Sequence, residues 1–289
     1  MYKGIILVLA AAILWGTGGV VGQYLYTRAV DPFWLILVRQ IIAGVLFLSY
    51  AKFMAKENIW QMLKEHTLEL VIFSFVGVLG SQLGFYYTIS LCNAATATVL
   101  QYVAPVFIVL WMAWETKKLP DMRTCLGVVL AFLGVFLIST HGSLDNLAIS
   151  PAALFWGEVS AVSYAAYSLY PRKLLAKYHV TAVLGWGQII SGLSLVAFRN
   201  PFTPAGSWDV WGVLAMAYLI VGATVLTFSM YLTGMKIIGP AKASLMSCAE
   251  PLSSIVCTVL FMGTVLTTCD YIGMSAIIFT VFMLSTKNK

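Results

Sequence analysis

Charged residues are scarce in this chain of 289 residues. Asp, Glu, Lys and Arg together make up 10% of it, whereas 61% of the residues are hydrophobic and the mean hydropathy is +0.91. Soluble globular domains carry about 25% charged residues. The composition therefore excludes a water-soluble globule and predicts that lipid surrounds most of the chain.

Patterns that would indicate a metal site, a cofactor or an enzyme are also missing. The three histidines, His66, His141 and His179, fall in predicted loops, and the five cysteines show no CxxC spacing. The sequence contains no Ser-His-Asp candidate trio and no phosphate-cradling loop. We therefore expect no metal, no cofactor and no catalysis.

Ten apolar segments remain, and each is close to the roughly 20 residues that a helix needs to cross a bilayer. They predict an all-α integral membrane protein with ten transmembrane helices. Lys3 precedes the first segment, which runs on to Tyr26 and is too long for a typical signal peptide, so we interpret it as a retained helix. The segments cover residues 4–25, 33–53, 68–90, 94–114, 122–140, 151–171, 181–198, 209–233, 240–262 and 266–285.

Loop charges predict the orientation of these helices. Basic residues near membrane spans favour the cytoplasmic side. With both termini in the cytoplasm, 14 of the 17 basic residues lie in inner segments. The net charge of +6 thus needs no nucleic-acid partner. We expect a multi-pass protein of the cytoplasmic membrane.

A passage near residues 95–140 recurs near 241–286 at a constant offset of 146. The repeat divides the chain into halves, 1–145 and 146–289, of five predicted helices each. Because five is odd, the second half enters the membrane from the opposite side, and inverted repeats are typical of transporters. The matched pairs are Ala95 with Ala241, Ala97 with Ala243, Pro105 with Pro251, Gly127 with Gly273, Val135 with Val281, Phe136 with Phe282, Ser139 with Ser285 and Thr140 with Thr286.

Two passages, residues 95–107 with Trp114-Glu115, and residues 239–252, resemble the repeats of EamA-type transporters of the drug/metabolite transporter superfamily. The resemblance implies alternating access, with helices one, three, four, six, eight and nine around a cavity. It does not specify the substrate. One departure is visible, because Gly263-Thr264 stands where the family commonly has a second acid.

The two repeat-related prolines predict breaks in helices four and nine. Proline releases the carbonyl four residues earlier, so Pro105 frees that of Gln101 and Pro251 frees that of Ser247. One interpretation is a pair of bent helices whose freed groups face the cavity. The other is a pair of structural kinks that neighbouring helices satisfy.

Three charged residues that lie well inside predicted helices are candidates for function. Glu250 lies near mid-membrane, where it is interpreted as a ligand for a substrate cation, a proton carrier or a structural anchor. Arg39 and Glu158 lie at similar depth, and we interpret them as a gate or substrate anchor or as a static ion pair. Alternatively, Arg39 extends to the lipid headgroups, and Glu158 is a second candidate for a proton carrier. Glu158 also lies on the helix face nearly opposite Ser160 and Tyr164, and both faces cannot line one cavity.

We therefore predict a carrier of a small polar or amphiphilic metabolite, with an amino acid or related organic solute as the best guess. An exporter of lipophilic cations is the alternative, and a membrane enzyme or structural partner is a rival of another class. Expected partners are the solute, the lipid bilayer and, as an open case, a second copy of the chain. The expected cavity residues are Trp15, Gln101, Tyr102, Trp156, Ser247, Glu250 and Tyr231.

Overall fold

The architecture comes from a computed structural model that describes residues 1–92, 94–146, 150–204, 206–262 and 266–285. Every regular element in these ranges is helical, in agreement with the all-α prediction. The main helices are α1 Tyr2–Thr27, α2 Pro32–Phe53, α3 Ile59–Glu65, α4 Thr67–Leu91, α5 Ala94–Gln101, α6 Ala104–Thr116, α7 Met122–Thr140, α8 Pro151–Leu169, α9 Arg172–Lys177, α10 Val180–Leu195, α11 Val210–Ile238, α12 Pro240–Ser247, α13 Glu250–Met262 and α14 Thr268–Ser285.

Seven stretches of the described chain are long and apolar enough to cross a bilayer: α1, α2, α4, the stretch Thr96–Thr116 that spans α5 and α6, α7, α11 and α14. The other three predicted segments correspond to α8, to α10 and to α12 with α13. Helix α10 is apolar but has only 16 residues. The structure thus supports a multi-spanning helical membrane protein with at least these seven candidates.

Aspartates at helix starts fix where several helices begin. The Asp31 carboxylate accepts a hydrogen bond from the Trp34 backbone N–H at 2.8 Å, and Asp209 accepts one from Gly212 at 2.8 Å. Such caps satisfy N–H groups that have no partner within the helix. Asp209 also binds Arg28 at 2.9 Å and so joins the loop after α1 to the start of α11. The Gly212 N–H and the Arg28 guanidinium hold the pKa of Asp209 below its ordinary value.

Helical irregularities recur at corresponding places in the two halves. The chain leaves α-helical geometry between α5 and α6 at Tyr102, and between α12 and α13 at Cys248, 146 positions later. Each break comes shortly before a proline, which has no N–H to donate. Helices α4 and α11 each contain a π-helical segment, Phe73–Leu79 and Val221–Leu226.

The closest helix pairs join one half of the chain to the other. The most extensive contacts join α2 to α10, α7 to α14, α4 to α8 and α1 to α11. Small residues allow these close approaches, because a Cβ added to Gly84 of α4 would lie 2.9 Å from the Trp156 carbonyl oxygen and the Ser160 nitrogen of α8. The Gly- and Ser-rich face of α4 thus allows α8 to pack closely against it.

Candidate functional site

The breaks of α5–α6 and α12–α13 meet at the centre of the bundle, where Tyr102 joins them. Its hydroxyl lies 2.6 Å from the carbonyl oxygen of Ser247 and 2.8 Å from Oε2 of Glu250. The Ser247 carbonyl is the group that Pro251 frees from helical bonding. A side chain from one broken helix therefore satisfies the backbone of the other.

The hydrogen atoms at this junction can be counted. A tyrosine hydroxyl has one hydrogen to donate, and a carbonyl oxygen accepts only. Both contacts of Tyr102 are fully satisfied when its hydroxyl donates to Ser247 and a protonated Glu250 carboxyl donates to Tyr102. An ionised Glu250 would compete with the carbonyl for the same hydrogen. Glu250 is buried and forms no ion pair within the described part of the chain.

Polar groups of α8 extend the junction. Tyr164 contacts the Ser247 hydroxyl at 3.0 Å, and that hydroxyl donates to the Ser244 carbonyl at 2.7 Å. On the other side, the Gln101 amide donates to Ser160 Oγ at 2.7 Å. The face of α8 that carries Ser160 and Tyr164 therefore points to the centre of the bundle.

An aromatic cluster lies beside these polar groups. The Trp15 ring centroid is 5.3 Å from that of Phe228, 5.1 Å from that of Tyr231 and 6.0 Å from that of Tyr164. The Tyr231 hydroxyl is fully buried and bonds to Ser168 at 2.9 Å. The cluster places flat, polarisable surfaces next to the Glu250 carboxyl.

A chamber of about 40 Å³ lies between the aromatic and polar groups. This volume holds a few water molecules at most and leaves no room for a solute, and we call the conformation closed in this sense. Glu250 is the one acid and Arg39 the one base among the lining residues, which are Trp15, Arg39, Ser81, Gln82, Phe85, Tyr86, Gln101, Tyr164, Ala223, Phe228 and Glu250.

Arg39 does not pair with Glu158 as the sequence suggested. Its side chain is 1% exposed, and its Nη2 donates to Gln82 Oε1. The guanidinium carbon lies 4.2 Å from the centre of the Tyr86 ring. The depth of two residues in the membrane does not specify how their helices are rotated about their axes. In the structure, the packing of α2 turns Arg39 toward α4.

Of the expected residues, Tyr102, Ser247 and Tyr231 are buried near the chamber without lining it, and Glu158 and Trp156 lie away from it. Glu158 is half-buried and has no ion pair with any described residue, because the opposite face of α8 points inward. Trp156 packs its ring against Tyr87 and Phe155, with centroids 5.2 and 5.5 Å away. Glu158 and Trp156 therefore take no part in the closed chamber.

Sequence reasoning missed Gln82 and Phe228 as chamber residues. Gln82 is buried within α4, between the small residues Ser81 and Gly84. A lone amide inside an apolar helix was a usable signal, because burying one without partners is costly. Phe228 gave no signal among the many aromatic residues of the chain.

A larger cleft lies elsewhere. Its volume is about 1340 Å³, and it opens on the outside of the bundle beside α6, α8 and α9. Exposed rings of Trp111 and Trp114 form its wall, and an ion pair of Arg172 with Glu115 at 2.8 Å lies at its rim. Apolar outer walls of this kind are expected wherever a helix faces lipid. Volume alone thus does not locate the solute site.

Groups of three or more His, Cys, Asp or Glu side chains that could hold a metal ion do not occur in the residues that the structure describes. The position Gly263-Thr264, where the family pattern has a second acid, lies outside these residues. The buried polar groups of the chamber therefore remain the candidate site.

The seven long apolar helices of the described chain define a multi-pass membrane protein. Residues 2–140 and 151–286 match the EamA-like transporter family. The chain belongs to this family, which confirms the resemblance seen in its two repeats. It is therefore a membrane transporter.

Individual relatives agree with this assignment. The chain is 40% identical over 294 residues to YicL of Salmonella typhimurium, described as an uncharacterized inner membrane transporter, with 99% of this chain and 96% of the relative covered. It is 24% identical to the uncharacterized transporter YwfM of Bacillus subtilis, with 98% and 93% covered. A solved crystal structure with 18% identity shares the fold, with a TM-score of 0.80 over 99% of this chain and 97% of the other.

Proposed function

We propose that the protein carries a small polar or amphiphilic metabolite, best an amino acid or related organic solute, by alternating access. The observation that carries this proposal is the closed chamber at the two broken helices, where Tyr102 bridges Ser247 and Glu250. A solute held there would sit between the halves 1–145 and 146–289, whose rocking would expose it to either side.

An inverted arrangement of ten spans accounts for the recurring irregularities. The breaks at Tyr102 and Cys248 are 146 residues apart, and the pairing of α4 with α8 corresponds to that of α11 with α1 when the halves are exchanged. This exchange is what converts an inward-open form into an outward-open one. With both termini cytoplasmic, the rule for basic loops is also met.

The charge pattern of the chamber favours a zwitterion. Arg39 and Glu250 line the same space, and neither is paired with an opposite charge of the protein in the described residues. A buried charge in a membrane costs about 2.5–3.5 kcal/mol on insertion scales. The negative group of a zwitterion would offset the cost of the Arg39 charge, and its positive group would offset the cost of the Glu250 carboxylate once that residue gives up its proton.

Glu250 is the proposed group for proton coupling. Its proton completes the hydrogen bonds of Tyr102, and a cationic substrate group could take the proton's place. Release of the proton would leave either the carboxylate or the Ser247 carbonyl without its donor. Proton binding would then favour the closed chamber, and proton loss would favour opening.

Export of lipophilic cations is the second candidate, and the aromatic cluster favours it. Trp15, Tyr164 and Phe228 line the chamber beside a single acid, Glu250, and Tyr231 packs against Trp15. Aromatic faces attract cations by about 0.5–2 kcal/mol each. The buried guanidinium of Arg39 opposes this candidate, since it would repel a cation in so small a space.

A competition experiment in liposomes separates the two candidates. Purified protein would be reconstituted, and entry of labelled amino acids would be competed with unlabelled amino acids and with lipophilic cations. The proposal expects saturable uptake that amino acids compete and lipophilic cations do not. Saturable uptake of a labelled lipophilic cation, with no uptake of labelled amino acids, would establish the second candidate. Failure of every solute to cross, together with a stable complex with another protein, would favour a structural role.

A further inference from the structure

Arg39 is a buried cation without a counter-ion from the protein. It is 1% exposed, and none of the ion pairs in the described residues includes it. An arginine side chain keeps its charge in proteins and has five N–H groups to donate. Arg39 donates one hydrogen bond to the amide oxygen of Gln82, and its guanidinium lies over the face of the Tyr86 ring. Its Nε has no hydrogen-bond partner in the described residues.

The occupied and unoccupied donors form one edge of the guanidinium. Nε–H and one N–H of Nη2 point the same way, and a carboxylate accepts from both through its two oxygens. Gln82 offers a single neutral oxygen, which accepts from Nη2 and leaves Nε without a partner. A carboxylate at this edge would satisfy both nitrogens, whereas the amide satisfies one of them.

Gln82 is in turn held on its far side. Its Nε2 donates to Gln188 Oε1 of α10 at 3.2 Å, while Gln188 Nε2 and both polar atoms of the Gln40 side chain are buried without partners in the described chain. Gln188 thus has an unused N–H donor next to Gln82. An amide displaced from Arg39 would find new partners there.

We propose that the Nε–Nη2 edge of Arg39 is the carboxylate subsite of the transported solute and that Gln82 takes the carboxylate's place when the chamber is closed. The proposal rests on the proposed function, since it names the substrate group that Arg39 receives. Arg39 and Glu250 line one chamber, so a carboxylate at Arg39 directs the rest of the solute toward Glu250. The stretch Gln40-Ile41-Ile42-Ala43-Gly44 of α2 resembles Gln188-Ile189-Ile190-Ser191-Gly192 of α10, at an offset of 148. The residue that corresponds to Arg39 is therefore Gly187, and the second half has no equivalent subsite.

The first test needs no knowledge of the solute. Gln82→Glu supplies the missing carboxylate from within the protein, and we expect it to raise the apparent Tm of the purified protein by about 3 °C or more. Gln188→Glu is the matched control, because it buries the same group away from Arg39 and should lower the Tm. A Tm that falls in Gln82→Glu as it does in Gln188→Glu overturns the proposal.

The second test uses solutes that differ only at the carboxylate. Amino acids and their carboxamides would compete for uptake into liposomes containing the wild type, Arg39→Lys or Arg39→Gln. We expect the wild type to prefer the acids by about tenfold or more, Arg39→Lys to retain part of this preference and Arg39→Gln to lose it. An unchanged preference in Arg39→Gln overturns the subsite and leaves the proposed function standing. If Gln82→Glu raises the Tm but the wild type transports no solute, the anion subsite is supported and the proposed function is refuted.

Discussion

Removal of one oxygen atom tests the junction between the broken helices. Tyr102→Phe deletes the hydroxyl that satisfies the Ser247 carbonyl and contacts Glu250. A buried carbonyl that loses its donor costs about 1–3 kcal/mol, and the lost contact to the carboxyl adds roughly 1 kcal/mol. We therefore expect a loss of about 2–4 kcal/mol of stability.

The assay is the apparent Tm of the purified protein in detergent. A change of 1 kcal/mol shifts the Tm of a large single domain by about 2 °C, so Tyr102→Phe should lower it by about 4–8 °C. Tyr167→Phe is the matched control, since Tyr167 is fully buried and its hydroxyl has no hydrogen-bond partner in the described residues. That variant should keep or slightly raise the Tm. Equal losses in both variants would refute the bridging role of Tyr102.

Three further predictions follow from the same contacts. Glu250→Gln should keep the Tm within about 2 °C, because the amide donates to the Tyr102 hydroxyl as a protonated carboxyl does. The same variant should end any proton-driven uptake of solute. Uptake that still follows a proton gradient would exclude Glu250 as the proton carrier. Gly84→Ala should cost about 1–3 kcal/mol by pushing α4 from the α8 backbone, whereas Gly19→Ala, with open space around it, should be neutral in the same melting assay. Asp209→Ala should lower the Tm more than Asp209→Asn, since asparagine still caps α11 and loses only the ion pair. The stability that the ionised Asp209 carboxylate contributes should also be lost as the pH falls through its lowered pKa. Equal effects of the two variants on the Tm would show that the cap contributes nothing.

The two broken helices were predictable from sequence, but the group that joins them was not. Pro105 and Pro251 lack the N–H that continues a helix, and this local fact fixes both interruptions. The partner of the freed Ser247 carbonyl comes from Tyr102, 145 residues earlier. Such a contact depends on how the helices rotate and pack against one another, which periodicity does not determine.

The charged residues show the same limit. Helix depth places Arg39 and Glu158 at one level, and only the packing reveals that Arg39 turns to Gln82. The helical wheel of α8 shows that Glu158 and Tyr164 lie on opposite faces, so that only one of them can face the cavity. The wheel alone does not indicate which face points inward, and the structure shows that it is the face of Tyr164, which is buried.

Access to Gln101 from the two sides of the membrane tests the central claim most directly, because the residue lines the chamber. Gln101→Cys would be introduced after replacement of the five cysteines, and a membrane-impermeant thiol reagent would be applied to either side of oriented vesicles. Val162→Cys, exposed on the outside of α8, is the control and should react from neither side because lipid covers it. Alternating access predicts that Gln101→Cys reacts from both sides and that a transported solute slows both reactions. Reaction from one side only, or from neither, would contradict the account.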